Sequence, residues 1–326
     1  MSVTHGGNIF GAAEAGGMPW QGVLDFSASI NPLGPSASAR EAVVAALDRI
    51  VHYPERTSGR LRARLAREWG VEADRVMVGN GATELLFDWC RAMGNGTIAA
   101  PAFGEFHRAW PEARICLLED PTTWPAEGPV VLTRPANPTG YLPELEAVLH
   151  YVKGRRGPVL VDESFLDFCE AESLLPHAGG NLYVLRSLTK FWALPGLRIG
   201  ALAGDVATLA AGRAPWTVNV LAEEAALASL DDRAHAERTR AYVRGEGAWL
   251  AGQLSQWGVA LPAANYLYVR MPHAAEFTAF AAARGVLVRD CSVWPGMPPE
   301  PAIRVAVRRR WENEILVSIF EEWRCE

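Results

Sequence analysis

The sequence predicts an α/β fold, with a mostly parallel central sheet flanked by helices and followed by a smaller α+β domain. Short apolar runs alternate with helical periodicities through the middle of the chain, and this pattern ends near residue 216. The length of 326 residues suffices for one large domain and a smaller one. We assign 41–218 to the large domain, and 1–40 with 219–326 to an N-terminal arm, a connecting helix and the small domain.

Strands and helices follow one another in regular order through the large domain. Strands are expected at 75–78, 97–100, 129–133, 158–162, 181–186 and 199–203. Helices or helix starts are expected at 82–93, 103–113, 142–153 and 205–213. This alternation is typical of a parallel sheet covered by helices.

The flanking regions have different patterns. Residues 219–257 are rich in Ala, Glu and Arg and read as one long helical region. Beyond them we expect strands at 265–271, 286–289 and 302–307 and helices at 274–284 and 311–323. The first 40 residues are rich in Gly and Pro with little periodicity, so they are expected to form an arm that packs on the small domain or on a partner subunit.

The composition argues against several classes of protein. Hydrophobic residues make up 49% of the chain and the net charge is -6, which favours neither disorder nor non-specific binding of nucleic acid. The start has no basic region before an apolar run, and no stretch reaches the ~20 apolar residues of a membrane span, so we expect a cytoplasmic protein without membrane contact. The 5 cysteines are scattered without a Cys-x-x-Cys pair, which favours reduced, buried thiols over disulfides or a metal site.

Lysine chemistry has two candidates, because Lys153 and Lys190 are the only lysines. Lys153 ends a helical pattern in a charged cluster with Arg155 and Arg156, where a solvated cation is favourable. Lys190 lies in the apolar segment 187–197, whose side chains would lower the pKa of the amine and make it a usable nucleophile.

A glycine turn follows the first predicted strand of the large domain. Gly79-Asn80-Gly81 opens a helix at Ala82 and Thr83, where unpaired backbone N–H groups at the positive end of the helix dipole favour an anion. A dinucleotide site is a weak alternative, because Glu84 stands where the third glycine of that fingerprint belongs. A tight turn without any ligand is the other alternative.

Polar residues also follow three later strands. Asn137 is held in a loop made rigid by two prolines. Asp162 ends a strongly apolar strand, at the edge of the sheet where α/β enzymes bind ligands, and a protonated pyridine nitrogen would be a good partner for its carboxylate. Ser187, Lys190 and Arg198 can converge from one loop, and the guanidinium fork of Arg198 suits a phosphate, although a surface arginine is the alternative.

The order of these motifs resembles that of fold-type I pyridoxal-phosphate enzymes of the histidinol-phosphate aminotransferase group, over nearly the whole chain. The resemblance implies that Lys190 holds pyridoxal 5'-phosphate as a Schiff base and that Asp162 pairs with its ring nitrogen. It also implies the other cofactor contacts, which are Ala82, Thr83, Ser187 and Arg198 at the phosphate, Phe103 on the ring face and Asn137 at the ring hydroxyl.

Tyr53 and Phe165 carry two further implications of this resemblance. Tyr53 looks like the tyrosine that reaches the cofactor phosphate of the neighbouring subunit, which implies a homodimer with shared active sites. Phe165 departs from the family aminotransferases, which usually have tyrosine in this motif. Without that hydroxyl, the ring hydroxyl of the cofactor depends more on Asn137.

Three segments resemble, more narrowly, the threonine-phosphate decarboxylases of cobalamin biosynthesis. They are the opening 5–8, the segment 25–34, and the pair of runs that carry Arg289 and Arg304. This implies decarboxylation of L-threonine O-3-phosphate, a small phosphorylated amino acid, with Arg304 holding the substrate carboxylate so that the bond to be broken stands perpendicular to the ring. The candidates for the rest of the substrate, including its phosphate, are His5, Gly6, Asn31 and Arg289.

Two other functions remain open. A histidinol-phosphate-type aminotransferase would keep the same cofactor residues but move a proton instead of releasing carbon dioxide. An inactive cofactor-binding partner protein is a remote alternative, because Lys190, Asp162 and Arg198 are all present.

Overall fold

The centre of the fold is a mixed sheet of seven strands, seen in a computed structural model that describes residues 6–259, 263–292, 294, 296, 297 and 300–325. The strands are β1 Leu24–Asp25, β2 Val76–Gly79, β3 Thr97–Ala100, β4 Arg114–Leu117, β5 Val130–Thr133, β6 Val159–Asp162, β7 Leu182–Ser187, β8 Gly200–Ala203, β9 Tyr266–Arg270, β10 Val286–Leu287, β11 Arg289–Asp290 and β12 Ala302–Ala306. The α-helices are α1 Ile9–Gly16, α2 Ala37–Ala45, α3 Gly59–Trp69, α4 Ala82–Met93, α5 Gly104–Ala109, α6 Leu145–Gly154, α7 Ala207–Ala211, α8 Val220–Asp231, α9 Arg233–Gln253, α10 Ala274–Ala282 and α11 Arg310–Cys325.

The order in the large sheet is β2-β8-β7-β6-β5-β3-β4, and β8 alone runs antiparallel to its neighbours. Every residue of β3, β5 and β7 is buried, as expected for strands covered by helices on both faces. The predicted mostly parallel α/β sheet is therefore confirmed. Its six predicted strands agree with the observed ones to within about one residue at each end.

The strand β4 was not predicted from the sequence. It lies at the edge of the sheet and buries only Cys116 of its four residues. An exposed edge strand shows neither a continuous apolar run nor a strict alternation, so its sequence carries little signal.

The N-terminal 40 residues contain more regular structure than expected. Helix α1 begins after Asn8, whose Oδ1 accepts a hydrogen bond from the backbone N–H of Gly11 at 3.1 Å. It ends at Gly17, which adopts a left-handed conformation with φ of 61°. Strand β1 then pairs in parallel with β10, so this arm packs on the C-terminal part of the same chain.

The region 219–257 is broken into α8 and α9 rather than forming one helix. Asp232 lies between them, and its Oδ1 caps α9 by accepting a hydrogen bond from the His235 N–H at 2.9 Å. Helix α8 packs on the core of the large sheet, whereas α9 extends from that core to a second one. The connector is therefore α9, and α8 belongs structurally with the large sheet.

The second core lies beneath the antiparallel sheet β11-β12-β9. It is built around Phe26, Phe277 and Phe320, all fully buried, so the N-terminal arm contributes to it together with α10 and α11. The division into a large domain at 41–218 and a smaller unit made of 1–40 and 219–326 stays a proposal. The second core supports the smaller unit, whereas α8, which lies within 219–326, packs on the core of the large sheet.

One edge of the large sheet collects the segments of functional interest. The register pairs Thr133 with Asp162 and Asp162 with Leu185, so the carboxyl ends of β5, β6 and β7 are level. Because β8 runs the opposite way, Gly200 begins that strand beside Ser187 at the same edge. The loops that follow β2, β3, β5 and β7 therefore open onto a common surface.

The described ranges bear on the expectations about membrane-spanning helices and cysteines. None of the helices there is both long and apolar enough to cross a bilayer. Cys90, Cys116, Cys169 and Cys291 are free and buried.

Candidate active site

Lys190 lies in the connection between β7 and β8, and its amine is enclosed by protein. The Nζ atom is 5.1 Å from the ring centre of Phe165. Burial lowers the pKa of the Lys190 amine, Asp162 partly offsets that effect, and the cations Arg198 and Arg304 add to it. The resulting pKa is about 8. About a tenth of this amine is therefore unprotonated at pH 7, far more than for an ordinary lysine, and the unprotonated form is the nucleophile.

Asp162 ends β6, and burial raises the pKa of its carboxyl. Lys190, Ser164 and Arg186 counteract that effect, and the Ser164 N–H donates to Oδ1 at 2.9 Å. Amine and carboxylate thus influence each other within one enclosed site. A further cationic group bound beside Asp162 would stabilise its ionised form.

Glycine makes close approach possible where α4 begins. Gly81 has a φ of 88°, and a Cβ added to it would lie 2.5 Å from Nη2 of Arg198. A Cβ on Gly200 would lie 2.4 Å from the backbone N of Ala82. Only glycine at these positions lets the guanidinium and β8 reach the N-terminus of α4.

The donors around this N-terminus form a cradle for an anion. Gly200 pairs with Gly79 on one side and with Ser187 on the other, which places the Ser187 hydroxyl beside the glycine turn. Helix α4 has no side-chain cap, so the N–H groups of its first turn remain available. The Ser187 Oγ lies 2.7 Å from Oγ1 of Thr189.

Arg198 is exposed, as the alternative of a surface arginine required. Its φ of 60° turns the chain at the start of β8, and its Nη1 donates to the Pro195 carbonyl at 3.2 Å. The guanidinium nevertheless lies against Gly81 rather than in open solvent. Within the described part of the chain it forms no ion pair with a carboxylate, so its charge is available to a ligand.

Arg304 reaches the same site from β12. Its Nη1 donates to Oδ1 of Asn137 at 2.5 Å and its Nη2 to the Ser27 carbonyl at 2.5 Å. Its Nε is buried without a hydrogen-bond partner among the residues that the structure describes. Burial lowers the pKa of the Arg304 guanidinium, so an anionic ligand there would relieve an unfavourable buried charge.

Arg289 stands directly opposite Arg304 in the antiparallel pair β11 and β12. Opposite residues in such a pair project from the same face of the sheet. Arg289 is 9% exposed, and burial lowers the pKa of its guanidinium, with Arg304 adding to the effect. Its guanidinium carbon is 5.0 Å from the Trp294 ring centre. Two buried cations on one face indicate a site for an anionic ligand.

The structure argues against a direct phosphate contact by Asn31. Its side chain is 3% exposed and donates to the Phe191 carbonyl at 2.8 Å and to Oγ1 of Thr239 at 2.9 Å. Its Oδ1 accepts from the N–H of Leu33 at 2.9 Å. The amide would have to give up these partners to reach a ligand.

The remaining predicted residues lie in different settings. Phe103 is half-buried and immediately precedes α5, near the carboxyl end of β3. Tyr53 is 83% exposed, with its ring centre 5.1 Å from that of Trp216. Gly6 packs on the arm so closely that an added Cβ would lie 2.2 Å from the Ser27 carbonyl oxygen. His5 lies outside the described residues.

Thr189 and Tyr266 were missed in the sequence. Tyr266 is 1% exposed, its hydroxyl donates to the Ala136 carbonyl at 2.7 Å, and its ring centre is 5.4 Å from the Arg304 guanidinium carbon. It therefore supports both the Asn137 loop and Arg304. Thr189 was detectable as a hydroxyl next to Lys190, but Tyr266 gave no local signal because its environment depends on pairing with β12.

The lowered pKa of Lys190 can be measured directly, because the chain has one other lysine. We expect the reactivity of Lys190 toward an amine reagent to rise with a midpoint near pH 8, as its pKa of about 8 requires. Mass spectrometry of the labelled peptides, with the exposed Lys153 as the reference amine, gives this profile for the full-length protein freed of bound cofactor. A midpoint at the ordinary lysine value of 10.5 would contradict the enclosed placement.

These features fit pyridoxal 5'-phosphate. A nucleophilic amine at Lys190, an acid at Asp162 and an anion cradle at Gly81 with Arg198 match its aldehyde, ring nitrogen and phosphate respectively. The anion site requires glycine at position 81, because a side chain there would displace the Arg198 guanidinium.

Comparisons with known proteins agree with this fit. Residues 21–319 match the family described as aminotransferase class I and II. The chain is 35% identical to a threonine-phosphate decarboxylase of Salmonella typhimurium, covering 96% of this chain and 94% of that protein. It is 29% identical to a histidinol-phosphate aminotransferase of Oleidesulfovibrio alaskensis, covering 92% of this chain and 87% of that protein.

Solved structures share the fold. An L-threonine-O-3-phosphate decarboxylase from Porphyromonas gingivalis superposes with a TM-score of 0.84 at 24% identity, covering 93% of this chain and 100% of that one. A histidinol-phosphate aminotransferase from Sinorhizobium meliloti in complex with pyridoxal-5'-phosphate gives a TM-score of 0.82 at 19% identity, covering 97% and 94%. The chain therefore belongs to the class I and II aminotransferase family and is a pyridoxal-phosphate-dependent enzyme.

Proposed function

We propose that the protein decarboxylates L-threonine O-3-phosphate to (R)-1-amino-2-propanol O-2-phosphate, for the nucleotide loop of cobalamin. The observation that carries this proposal is the pair of buried arginines, Arg289 and Arg304, on one face of the small sheet. This substrate has two anionic groups, a carboxylate and a phosphate, so it can bind to both cations at once. The 35% identity to the Salmonella typhimurium decarboxylase supports the same choice.

Each of the two arginines is proposed to bind one anionic group of the substrate. Arg304 bonds to Asn137, which stands at the carboxyl end of the large sheet with Lys190, so Arg304 is assigned to the carboxylate. Arg289 lies one strand farther out and is assigned to the phosphate. Holding the carboxylate from one side fixes the direction of the bond that breaks.

The residues of this chain then act on a substrate held in that orientation. Pyridoxal phosphate supplies an aldehyde that joins the substrate amine and a ring that takes up the electron pair left when carbon dioxide departs. Asp162 keeps the ring nitrogen protonated, since its carboxylate needs a buried cation. The ammonium form of Lys190, which predominates at pH 7 with a pKa of about 8, can give a proton to the α-carbon after the carboxylate has left.

An aminotransferase acting on histidinol phosphate would use the same cofactor residues. Purified holoenzyme is incubated with L-threonine O-3-phosphate, and carbon dioxide, aminopropanol phosphate and keto acid are measured together. In parallel, histidinol phosphate is supplied with 2-oxoglutarate. We expect carbon dioxide and the phosphorylated amine in equal amounts. Transamination without carbon dioxide would overturn the proposed reaction.

Separate substitutions of the two arginines test their division of the substrate. Loss of one partner of a buried charged pair costs about 2–5 kcal/mol, so kcat/KM for threonine phosphate should fall by roughly 30-fold or more in Arg304→Gln and in Arg289→Gln. With unphosphorylated L-threonine, Arg304→Gln should still lower kcat/KM, whereas Arg289→Gln should leave it unchanged.

The control for these substitutions is Arg270→Gln, on an exposed position of β9 in the same sheet. It should keep the kinetic constants of the unaltered enzyme. An equal loss on both substrates in Arg289→Gln would contradict the assignment of Arg289 to the phosphate.

We also propose that the enzyme acts as a homodimer with shared active sites. The large hydrophobic residues between 44 and 53 are exposed, and Trp216 lies against Tyr53 beside them; they are Val44, Leu47, Ile50, Val51 and Tyr53. A patch of this kind normally marks an interface. Covering it with a second copy would bring the exposed Tyr53 toward the cofactor phosphate of the partner.

The dimer is tested by Val51→Asp, because Val51 is 77% exposed and a buried carboxylate at an interface is unfavourable. Sedimentation velocity should show a shift from a dimer to a monomer of 35.4 kDa, with loss of activity. The matched control is Leu117→Asp on the edge strand β4, which is 51% exposed outside this patch and should remain dimeric. A dimer that persists in Val51→Asp would place the interface elsewhere.

A further inference from the structure

We infer that Asn31 is a positioning residue that holds the backbone of Lys190 in place, rather than a ligand of the substrate. The inference rests on the proposed role of Lys190 as the cofactor-binding lysine. It follows from the hydrogen-bond partners of Asn31, which no local feature of the sequence indicated.

Asn31 binds two successive carbonyl groups at the catalytic lysine. Its backbone N–H donates to the Lys190 carbonyl at 3.0 Å, and its side-chain Nδ2 donates to the Phe191 carbonyl at 2.8 Å. These two bonds fix the peptide planes on both sides of Phe191. They therefore fix the direction in which the chain leaves Lys190.

The other backbone hydrogen bonds near Lys190 are formed within the connection between β7 and β8 itself. The Leu188 N–H donates to the Ile199 carbonyl at 3.2 Å, and the Leu194 N–H donates to the Thr189 carbonyl at 2.9 Å. The Lys190 carbonyl also accepts from the Ala193 N–H at 3.3 Å, within the same turn.

Among the described residues, the long-range hydrogen bonds to the Lys190 and Phe191 carbonyls come from Asn31, which is separated from Phe191 by 160 residues in the chain. The Phe191 ring itself packs on Phe168, with the ring centres 5.0 Å apart. We call these two hydrogen bonds from Asn31 the brace, because they fix the position of the Lys190 turn relative to the distant segment that carries Asn31.

Asn31 is itself held rigidly from the other side. Its Nδ2 also donates to Oγ1 of Thr239, which is fully buried in α9, and lies 3.4 Å from Nε2 of His235. Its Oδ1 accepts from the Leu33 N–H at 2.9 Å, which fixes the orientation of the amide. The brace therefore joins the Lys190 turn to α9.

The same N-terminal segment also contacts the proposed substrate site. The Ser27 carbonyl, four residues before Asn31, accepts from Nη2 of Arg304. One short stretch of chain thus sets the position of both the lysine and the arginine. An amide that fixes the distance between them would affect the rate of the bound substrate more than its affinity.

Two substitutions test the brace. Asn31→Ala removes the side-chain bonds, and Asn31→Asp keeps the shape and the acceptor for Leu33 but replaces the donor to the Phe191 carbonyl with an oxygen. Circular dichroism and the unfolding midpoint establish that each variant is folded, so a failure of one to fold leaves the other.

The matched control is Asn219→Ala. The Asn219 side chain donates to the Leu197 carbonyl of the same connection at 3.0 Å, away from the peptide groups of Lys190. It should alter stability without altering Lys190.

The first readout is the pH profile of Lys190 labelling, with Lys153 as reference, in full-length protein freed of cofactor. A loosened turn admits water to the amine, so the midpoint should rise from near 8 by about half a pH unit or more in both Asn31 variants. In the holoenzyme, kcat for threonine phosphate should fall by about ten- to a hundred-fold with little change in KM. Asn219→Ala should change neither.

The alternative outcomes are distinct. An unchanged labelling midpoint with a raised KM for threonine phosphate, and an unchanged KM for L-threonine, would overturn the inference in favour of a phosphate ligand. Lowered stability with labelling and kcat unaltered would also overturn it, since Asn31 would then be structural only. Failure of the proposed function is separate, because it is measured by the products of the unaltered enzyme.

Discussion

Replacing Lys190 with alanine is expected to lower the rate of decarboxylation by about a thousand-fold or more, because it removes both the covalent attachment and a proton donor. The enclosed amine next to Phe165, with its pKa lowered to about 8, is suited to both roles. Initial rates of carbon dioxide release measure the loss of activity. The visible absorbance of the bound cofactor, before and after borohydride reduction, shows whether the covalent attachment has been lost.

The chain offers a close control for this substitution. Lys153→Ala removes the other lysine, which is exposed at the end of α6. That variant should keep full activity, and reduction should still attach the cofactor to the peptide containing residue 190. Full activity of Lys190→Ala, or attachment of the cofactor to the Lys153 peptide, would disprove the assigned role of Lys190.

Replacing Asp162 with asparagine should lower the rate by roughly 10²- to 10⁴-fold, since breaking a buried charge pair costs about 3–5 kcal/mol. The amide cannot keep the ring nitrogen protonated, so the cofactor becomes a poorer acceptor of electrons. The cofactor should still bind, because Lys190 and the cradle at Gly81 are intact. Activity and the absorbance spectrum distinguish these two effects.

Asp162→Asn also tests a second, independent prediction, which concerns the pKa of the Lys190 amine. Asp162 raises the pKa of the amine in the unaltered protein, so Asp162→Asn should move the labelling midpoint below about 8. Asp205→Asn is the control, because Asp205 is exposed at the opposite edge of the sheet, beyond the end of β8. A midpoint that stays in place would show that Asp162 and the amine are not coupled.

The large sheet could be predicted because its strands are buried on both faces and therefore appear as continuous apolar runs. The same reasoning failed where burial is partial or local signals conflict. The exposed edge strand β4 lacked an apolar run, and the break between α8 and α9 depended on a capping contact of Asp232 within an otherwise helical composition. The short helix α1 was hidden in a stretch rich in glycine.

The candidate site was partly predictable for a related reason. Asn137, Asp162 and Ser187 each follow or end a strand, and parallel strands bring their carboxyl ends to one edge. The approach of Arg198 to Gly81 was not predictable, because the two residues are far apart in the sequence and meet only through the pairing of β2 with β8. The hydrogen bonds of Asn31 to the Lys190 turn likewise could not be predicted from the sequence.

The sequence by itself determined which chemical groups stand at the ends of the strands, and so the class of cofactor that they fit. Only the tertiary structure decided which distant segments meet them: Arg304 bonds to Asn137 across 167 residues of chain, and Asn31 bonds to Phe191 across 160. The physical reason is that periodicity and turn chemistry report how a segment folds locally, whereas the pairing of distant segments depends on which surfaces pack together.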